Sequence, residues 1–174
     1  ILSSAASDVY KRQHHDHIKH INEYIEAYPE IKVIGHPKSK LNNTPEINYL
    51  PMKDNSVFKL GGLEIKTIHT PGHYYDSVCF LVENVVFTGD TLFIGRTGRT
   101  LSKGSNISDL YNSVYEKLLT LPGSTIIYPG HNYGSKPTMT MNENIKISNL
   151  LQASGEKDFI NRMKNYEKTR VNNN

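Results

Sequence analysis

"LEIKTIHTPGHYYDSVCFLVENVVFTGD", residues 63–90, is the stretch whose reading decides the fold. "LEIKTIH" follows "VFKL" across Gly61 and Gly62, which reads as a hairpin with a glycine turn. "SVCFLV" and "VVFTG" face each other across Glu83 and Asn84, a second hairpin. His73 stands just past the strand "LEIKTIH", in the turn "TPGH", and Asp90 just past the strand "VVFTG". The same pattern returns downstream, where the strand "TIIYPG" (125–130) is followed at once by His131. Glycine in each turn lets the backbone bend sharply and bring these side chains together.

Outward from this stretch, residues 105–121 read as a helix capped by Ser105 or Asn106, with Leu110, Val114, Leu118 and Leu121 on one face. Residues 140–152 and 156–168 read as two terminal helices, the last polar and exposed. On the N-terminal side, Ile18, Ile21, Ile25 and Tyr28 mark one helix face that Pro29 ends. "IKVIG" (31–35) is a short strand, and residues 36–56 read mostly as loop. No internal repeat and no long βαβ alternation is present, so the pattern is α+β, with packed sheets and helices outside them.

Composition excludes several classes. The chain has 174 residues, 37% of them apolar, which suffices for one domain with a real core. A net charge of +3 from dispersed Lys and Arg gives no basic block for nucleic acid. No apolar run reaches the length of a membrane span. The single Cys79 cannot form an internal disulfide, and a reducing, cytoplasmic compartment is the expectation. Residues 1–13, "ILSSAASDVYKRQ", lack the apolar region of a signal peptide.

The chemistry gathers in a small set of residues. "HHDH" (14–17) supplies His14, Asp16 and His17, and the strand ends supply His73, Asp90 and His131. Imidazoles and carboxylates at such positions suit Zn, Fe or Mn.

Taken together, "HHDH", "TPGH", "GDTLF" and "YPGH" resemble the metallo-β-lactamase superfamily, in order and in spacing. "GDTLFIGRTGRT" and "YPGHNYG" resemble its glyoxalase II and persulfide dioxygenase branch. The resemblance implies an αββα sandwich. The family's first motif is T-H-x-H-x-D-H, and its first His falls here on Arg12, which cannot ligate a metal. The abrupt start at His14 leads to the expectation that residues 1–13 are a non-native leader, that 14–170 form a domain lacking its N-terminal strands, and that 171–174 are a tail.

The resemblance also implies a ligand set. One metal would take His14 and His73, the other Asp16, His17 and His131, with Asp90 bridging two divalent ions. Asp16 would further orient a metal-bound hydroxide that attacks a thioester. Arg99 and Tyr133 match positions lining the thiol pocket, where Arg99 would pair with a carboxylate of a glutathione-type substrate. A mononuclear iron dioxygenase is the alternative, although only His73 and Asp90 of its ligand set are present. An inactive fragment or binding-only fold is the third. Thr97 stands where the family usually has Cys, and Tyr74, Tyr75 and Asp76 replace its usual T-x-G run. Hydrolysis of a small thiol-derived substrate ranks first because the second ligand set is complete. The sequence leaves the oligomeric state open.

Overall fold

A computed structural model describes residues 17–171 of the chain. His14, Asp16 and the proposed leader lie outside the described residues. Among the described residues the order begins with α1 (Ile21–Ala27), then β1 (Val33–Gly35), a short 3-10 turn (Lys40–Asn43) and β2 (Tyr49–Pro51). β3 (Val57–Leu60), β4 (Leu63–His69), β5 (Val78–Val82) and β6 (Val85–Gly89) follow as two hairpins. β7 (Leu92–Phe93) and β8 (Arg96–Thr97) make a miniature third. α2 (Ile107–Asn112) continues into a π-helical turn (Ser113–Leu118). β9 (Ile126–Pro129), β10 (Met139–Thr140), α3 (Met141–Ile147), a second 3-10 turn (Asn149–Gln152) and α4 (Glu156–Val171) complete the order.

Six strands form one sheet in the order β10-β9-β6-β5-β4-β3. The hairpin registers are those of two-residue turns, with Leu60 opposite Leu63 and Val82 opposite Val85. Gly61 supplies the first turn with φ +60°, and Glu83 takes φ 52° in the second. β6 and β9 run parallel. Their crossover carries β7, β8 and α2, as a parallel pair requires. Both strands therefore deliver Asp90 and His131 to the same end of the sheet.

The core lies between one sheet face and the helices. Cys79, Val86 and Ile127 from the sheet meet Leu110 of α2, Val114 and Leu118 of the π-helical turn, and Phe159 and Met163 of α4, all fully buried. Asn106 caps α2, accepting from the amides of Ser108 and Asp109. Thr140 and Glu143 form a capping box on α3. Burial pushes the Cys79 thiol up to about 11, and its sulfur lies 3.3 Å from the Thr70 hydroxyl.

Residues 36–56 are mostly loop as expected, interrupted by the 3-10 turn and by β2, which pairs in parallel with β1, Ile34 opposite Leu50. Two expectations are corrected. Residues 140–152 are two pieces, broken where Ser148 turns extended (φ −99°, ψ 112°). The last helix is not exposed on all sides: Phe159, Met163 and Glu167 recur every four residues and are buried.

Candidate metal centre

Strand-end turns set the geometry of the site. The turn after β4 is held against α2: the Asn106 amide donates to the Gly72 carbonyl (2.8 Å), and the Ser113 hydroxyl to the Pro71 carbonyl (2.6 Å). Gly72 takes φ +136°, and a Cβ there would lie 2.3 Å from the Leu110 backbone, so only glycine allows this approach. His73 follows immediately. Its Nδ1–H donates to the Arg99 carbonyl at 2.7 Å, which fixes the ring and turns Nε2 toward Asp90.

Asp90 is the hub. His17 Nε2 lies 3.2 Å from its Oδ2, His73 Nε2 3.7 Å from the same oxygen, and His131 Nε2 3.6 Å from Oδ1. One donor atom from each of His17, Asp90 and His131 falls within 4.8 Å of the others, and this set could hold a metal ion. His73 joins it through Asp90. Burial pushes the Asp90 carboxyl up, but the His17 hydrogen bond and the nearby His17, His73 and His131 imidazoles outweigh burial and hold it below the usual range. Asp90 Oδ1 is buried without a hydrogen bond, and a Cβ at Gly130 would come within 2.8 Å of it and 3.1 Å of His17 Cε1. A buried carboxylate oxygen facing imidazoles across space kept open by glycine fits a cation.

The two residues expected in the thiol pocket are both exposed. Arg99 is exposed and contributes its carbonyl to His73. The half-exposed Tyr133 stacks its ring on His131 (5.1 Å, 25°) and meets Phe93 edge-on (5.1 Å). A cleft runs from His17, His73 and Asp90 to Ser39, Tyr49 and Asp76.

Several contacts have no counterpart in the sequence reading. Arg96 donates from Nη2 to the Tyr133 carbonyl (2.6 Å) and lies over its ring. Glu167 of α4, 67 residues away, accepts from the amide and hydroxyl of Thr100 beside Arg99 (2.6 and 3.0 Å). His36 and His69, which the sequence leaves without a role, stack at 3.9 Å. His20, exposed at the N-cap of α1, bonds Glu23 at 2.8 Å.

A six-stranded sheet with a histidine–carboxylate centre at one end defines a class of metal-centre fold. Residues 10–131 match the Metallo-beta-lactamase superfamily, and the chain belongs to that family. Over 158 residues it is 34% identical to a hydroxyacylglutathione hydrolase of Tolumonas auensis, and over 161 residues 32% identical to a probable hydroxyacylglutathione hydrolase of Schizosaccharomyces pombe. Each alignment covers 90% of this chain and 57% of the relative, so the chain spans little more than half of their length. Among solved structures, TTHA1623 in a di-iron-bound form is similar at a TM-score of 0.63 and 27% identity, over 78% of this chain and 72% of that one. The αββα expectation agrees with these neighbours, and among the described residues β1–β2 and β7–β8 form two small sheets beside the six-stranded one.

Proposed function

We propose that the chain carries the catalytic centre of a metal-dependent thioesterase of the glyoxalase II type, acting on a glutathione-type thioester. The observation that carries the reading is the convergence of His17, His73 and His131 on the Asp90 carboxylate within 3.2–3.7 Å. The ligand set proposed is His14 and His73 for one divalent ion, and Asp16, His17 and His131 for the other, with Asp90 shared. Zn is the first choice, and Fe or Mn the alternatives. The relatives' names support hydrolysis, and the di-iron form of TTHA1623 supports a two-metal arrangement.

A divalent ion held in such a site acidifies a water and polarises a carbonyl. The chain's own groups do the rest. Asp90, its carboxyl held below the usual range, hydrogen-bonds His17 and stands between His73 and His131. The Arg99 carbonyl holds His73 in one tautomer, and the Arg99 guanidinium stands exposed to receive a carboxylate. Tyr133 covers one side of His131 with its half-exposed ring. Asp16 is proposed to orient the attacking water. A cytoplasmic location is proposed as well. No helix among the described residues is long and apolar enough to cross a membrane.

The experiment loads the chain with zinc, iron or manganese and follows thioester hydrolysis and metal content together. Low hydrolytic activity is expected, with about one equivalent of metal or less, because Arg12 falls at one ligand position of the motif. Asp90→Asn should lower metal affinity by at least the roughly 10–100-fold that loss of even an outer partner costs. Oxygen uptake with a persulfide substrate, a single iron and no thioester turnover would overturn the hydrolase reading. An absence of both activities would leave a binding-only fold.

A further inference from the structure

The cleft that leaves the candidate centre has an end that the hydrolase reading does not use. It starts at His73 and Asp90 and reaches Ser39, Tyr49, Tyr74 and Asp76, with a volume of about 320 Å³. Neither Arg99 nor Tyr133 lines it. A thioester carries two arms, one on the sulfur and one on the carbonyl carbon. With the thiol arm assigned to Arg99 and Tyr133, the cleft is left for the acyl arm. Tyr74, Tyr75 and Asp76 stand where the family's T-x-G run usually lies, and two of the three, Tyr74 and Asp76, line the cleft.

Both phenol rings at this end are seated on a glycine. The Tyr49 phenol lies so close to Gly35 that a Cβ there would collide with it, and its hydroxyl donates to the His36 carbonyl (2.9 Å). The Tyr74 ring lies equally close to Gly104. One ring thus comes from the β1–β2 layer and the other from the turn behind β4, and neither can withdraw into solvent without losing its seat. The Ser39 side chain hydrogen-bonds to both Tyr49 and Asp76. Asp76 supplies the charge. Burial raises its carboxyl, while a backbone hydrogen bond, the Ser39 bond and the charges of His69 and Lys40 pull the other way and do not offset burial. Its ionised form is therefore undercompensated by the protein and gains from a further cation. A carboxylate beside aromatic faces is the chemistry that recognises an ammonium group.

We propose that Asp76, with Tyr49 and Tyr74, forms a specificity-determining cation subsite in the cleft, which makes the centre select thioesters whose acyl group carries an ammonium. The inference rests on the thioesterase reading above and adds the acyl group to it.

The test uses the full chain loaded with zinc and three glutathione thioesters of matched acyl length: β-alanyl (ammonium), butyryl (neutral) and succinyl (carboxylate). Titration calorimetry reads binding of their unreactive ketone analogues, in which a methylene replaces the sulfur, and turnover is read on the thioesters themselves. The β-alanyl probe should bind about 10-fold more tightly than the butyryl probe, as a charge-assisted hydrogen bond provides, and the succinyl probe should bind most weakly. The preference should appear in KM and not in kcat. Asp76→Asn, which keeps the Ser39 bond, should bring the β-alanyl and butyryl probes level. Asp76→Glu should keep part of the preference, and Tyr74→Leu should reduce it by roughly 3-fold, the loss of one cation–π contact. Equal binding of the three probes, no binding of any, a preference that survives Asp76→Asn, or an equal loss for all three in that variant would overturn the proposal. The equal loss would make Asp76 a support of the cleft wall only. The ammonium preference without thioester hydrolysis would leave the subsite standing and remove the thioesterase reading. Hydrolysis of all three thioesters without the preference would do the reverse.

Discussion

The two faces of the six-stranded sheet differ sharply in environment. Val86 and Ile127 point to the face covered by α2 and α4 and are wholly buried. Their chain neighbours Phe87 and Tyr128 point the other way, pair at 5.5 Å, and stay 47% and 43% exposed. One face is a finished core, while the other is apolar and open to solvent among the described residues. The small β1–β2 layer and α1 lie apart from that core, and α1 buries none of its residues. The site draws on both regions. His73, Asp90 and His131 leave the ends of core-backed strands, whereas His17 precedes α1. Rigidity is thus supplied from the helix side, and the fourth group comes from the lighter layer.

The largest effect that separates the two faces is a pair of truncations one residue apart. Ile127→Ala should cost about 2–5 kcal/mol, as cavities in closed cores do. Tyr128→Thr should cost less, about 1 kcal/mol, because 43% of the residue stays exposed and its loss opens no closed cavity. Chemical denaturation reads both, and equal costs would break the comparison. Next is the tie from α4 to the site. Glu167→Ala should lose about 1–3 kcal/mol, since it leaves the Thr100 amide without its partner. Glu167→Gln, which keeps an acceptor, should lose less. A matching fall in metal affinity in the alanine variant alone would show that the core side sets the position of His73.

The smallest effect concerns the join between the layers, where His36 after β1 stacks on His69 at the end of β4. Burial first, then the charges of His69 and Lys38, hold the His36 imidazole below its ordinary value of 6.5. The folded chain resists a proton that the unfolded chain accepts. Stability is therefore full above that ordinary value and declines as pH falls below it, until the folded-state value is passed. His36→Gln should flatten the difference between urea midpoints measured at about pH 8 and about pH 5.5. An unchanged difference would place the pH dependence elsewhere.

Much of this is legible in the sequence, because local rules govern it. The hairpins around Gly61–Gly62 and Glu83–Asn84 form where turn chemistry places them. His73, Asp90 and His131 are readable as strand-end residues, and their convergence follows from parallel pairing of β6 with β9. The β1–β2 pair is not legible, since three-residue strands across a long irregular connection carry no period. The burial of α4 has a visible signal in Phe159, Met163 and Glu167, which the polar residues between them mask. The roles of Arg96 and Glu167 depend on contacts 37 and 67 residues away, and no local pattern encodes such a distance.

The burial of Cys79 bears on a chain proposed to handle thiol-derived substrates. Thiol–disulfide exchange and oxidation both begin from a thiolate, and the rate follows its abundance and its access. With its acidity suppressed to about 11, the Cys79 sulfur is ionised in only roughly one molecule in ten thousand at neutral pH. The sulfur is also sealed beneath the sheet, beyond reach of any substrate sulfur in the cleft. The chain's single thiol can therefore share a compartment with reactive sulfur compounds without forming mixed disulfides with them.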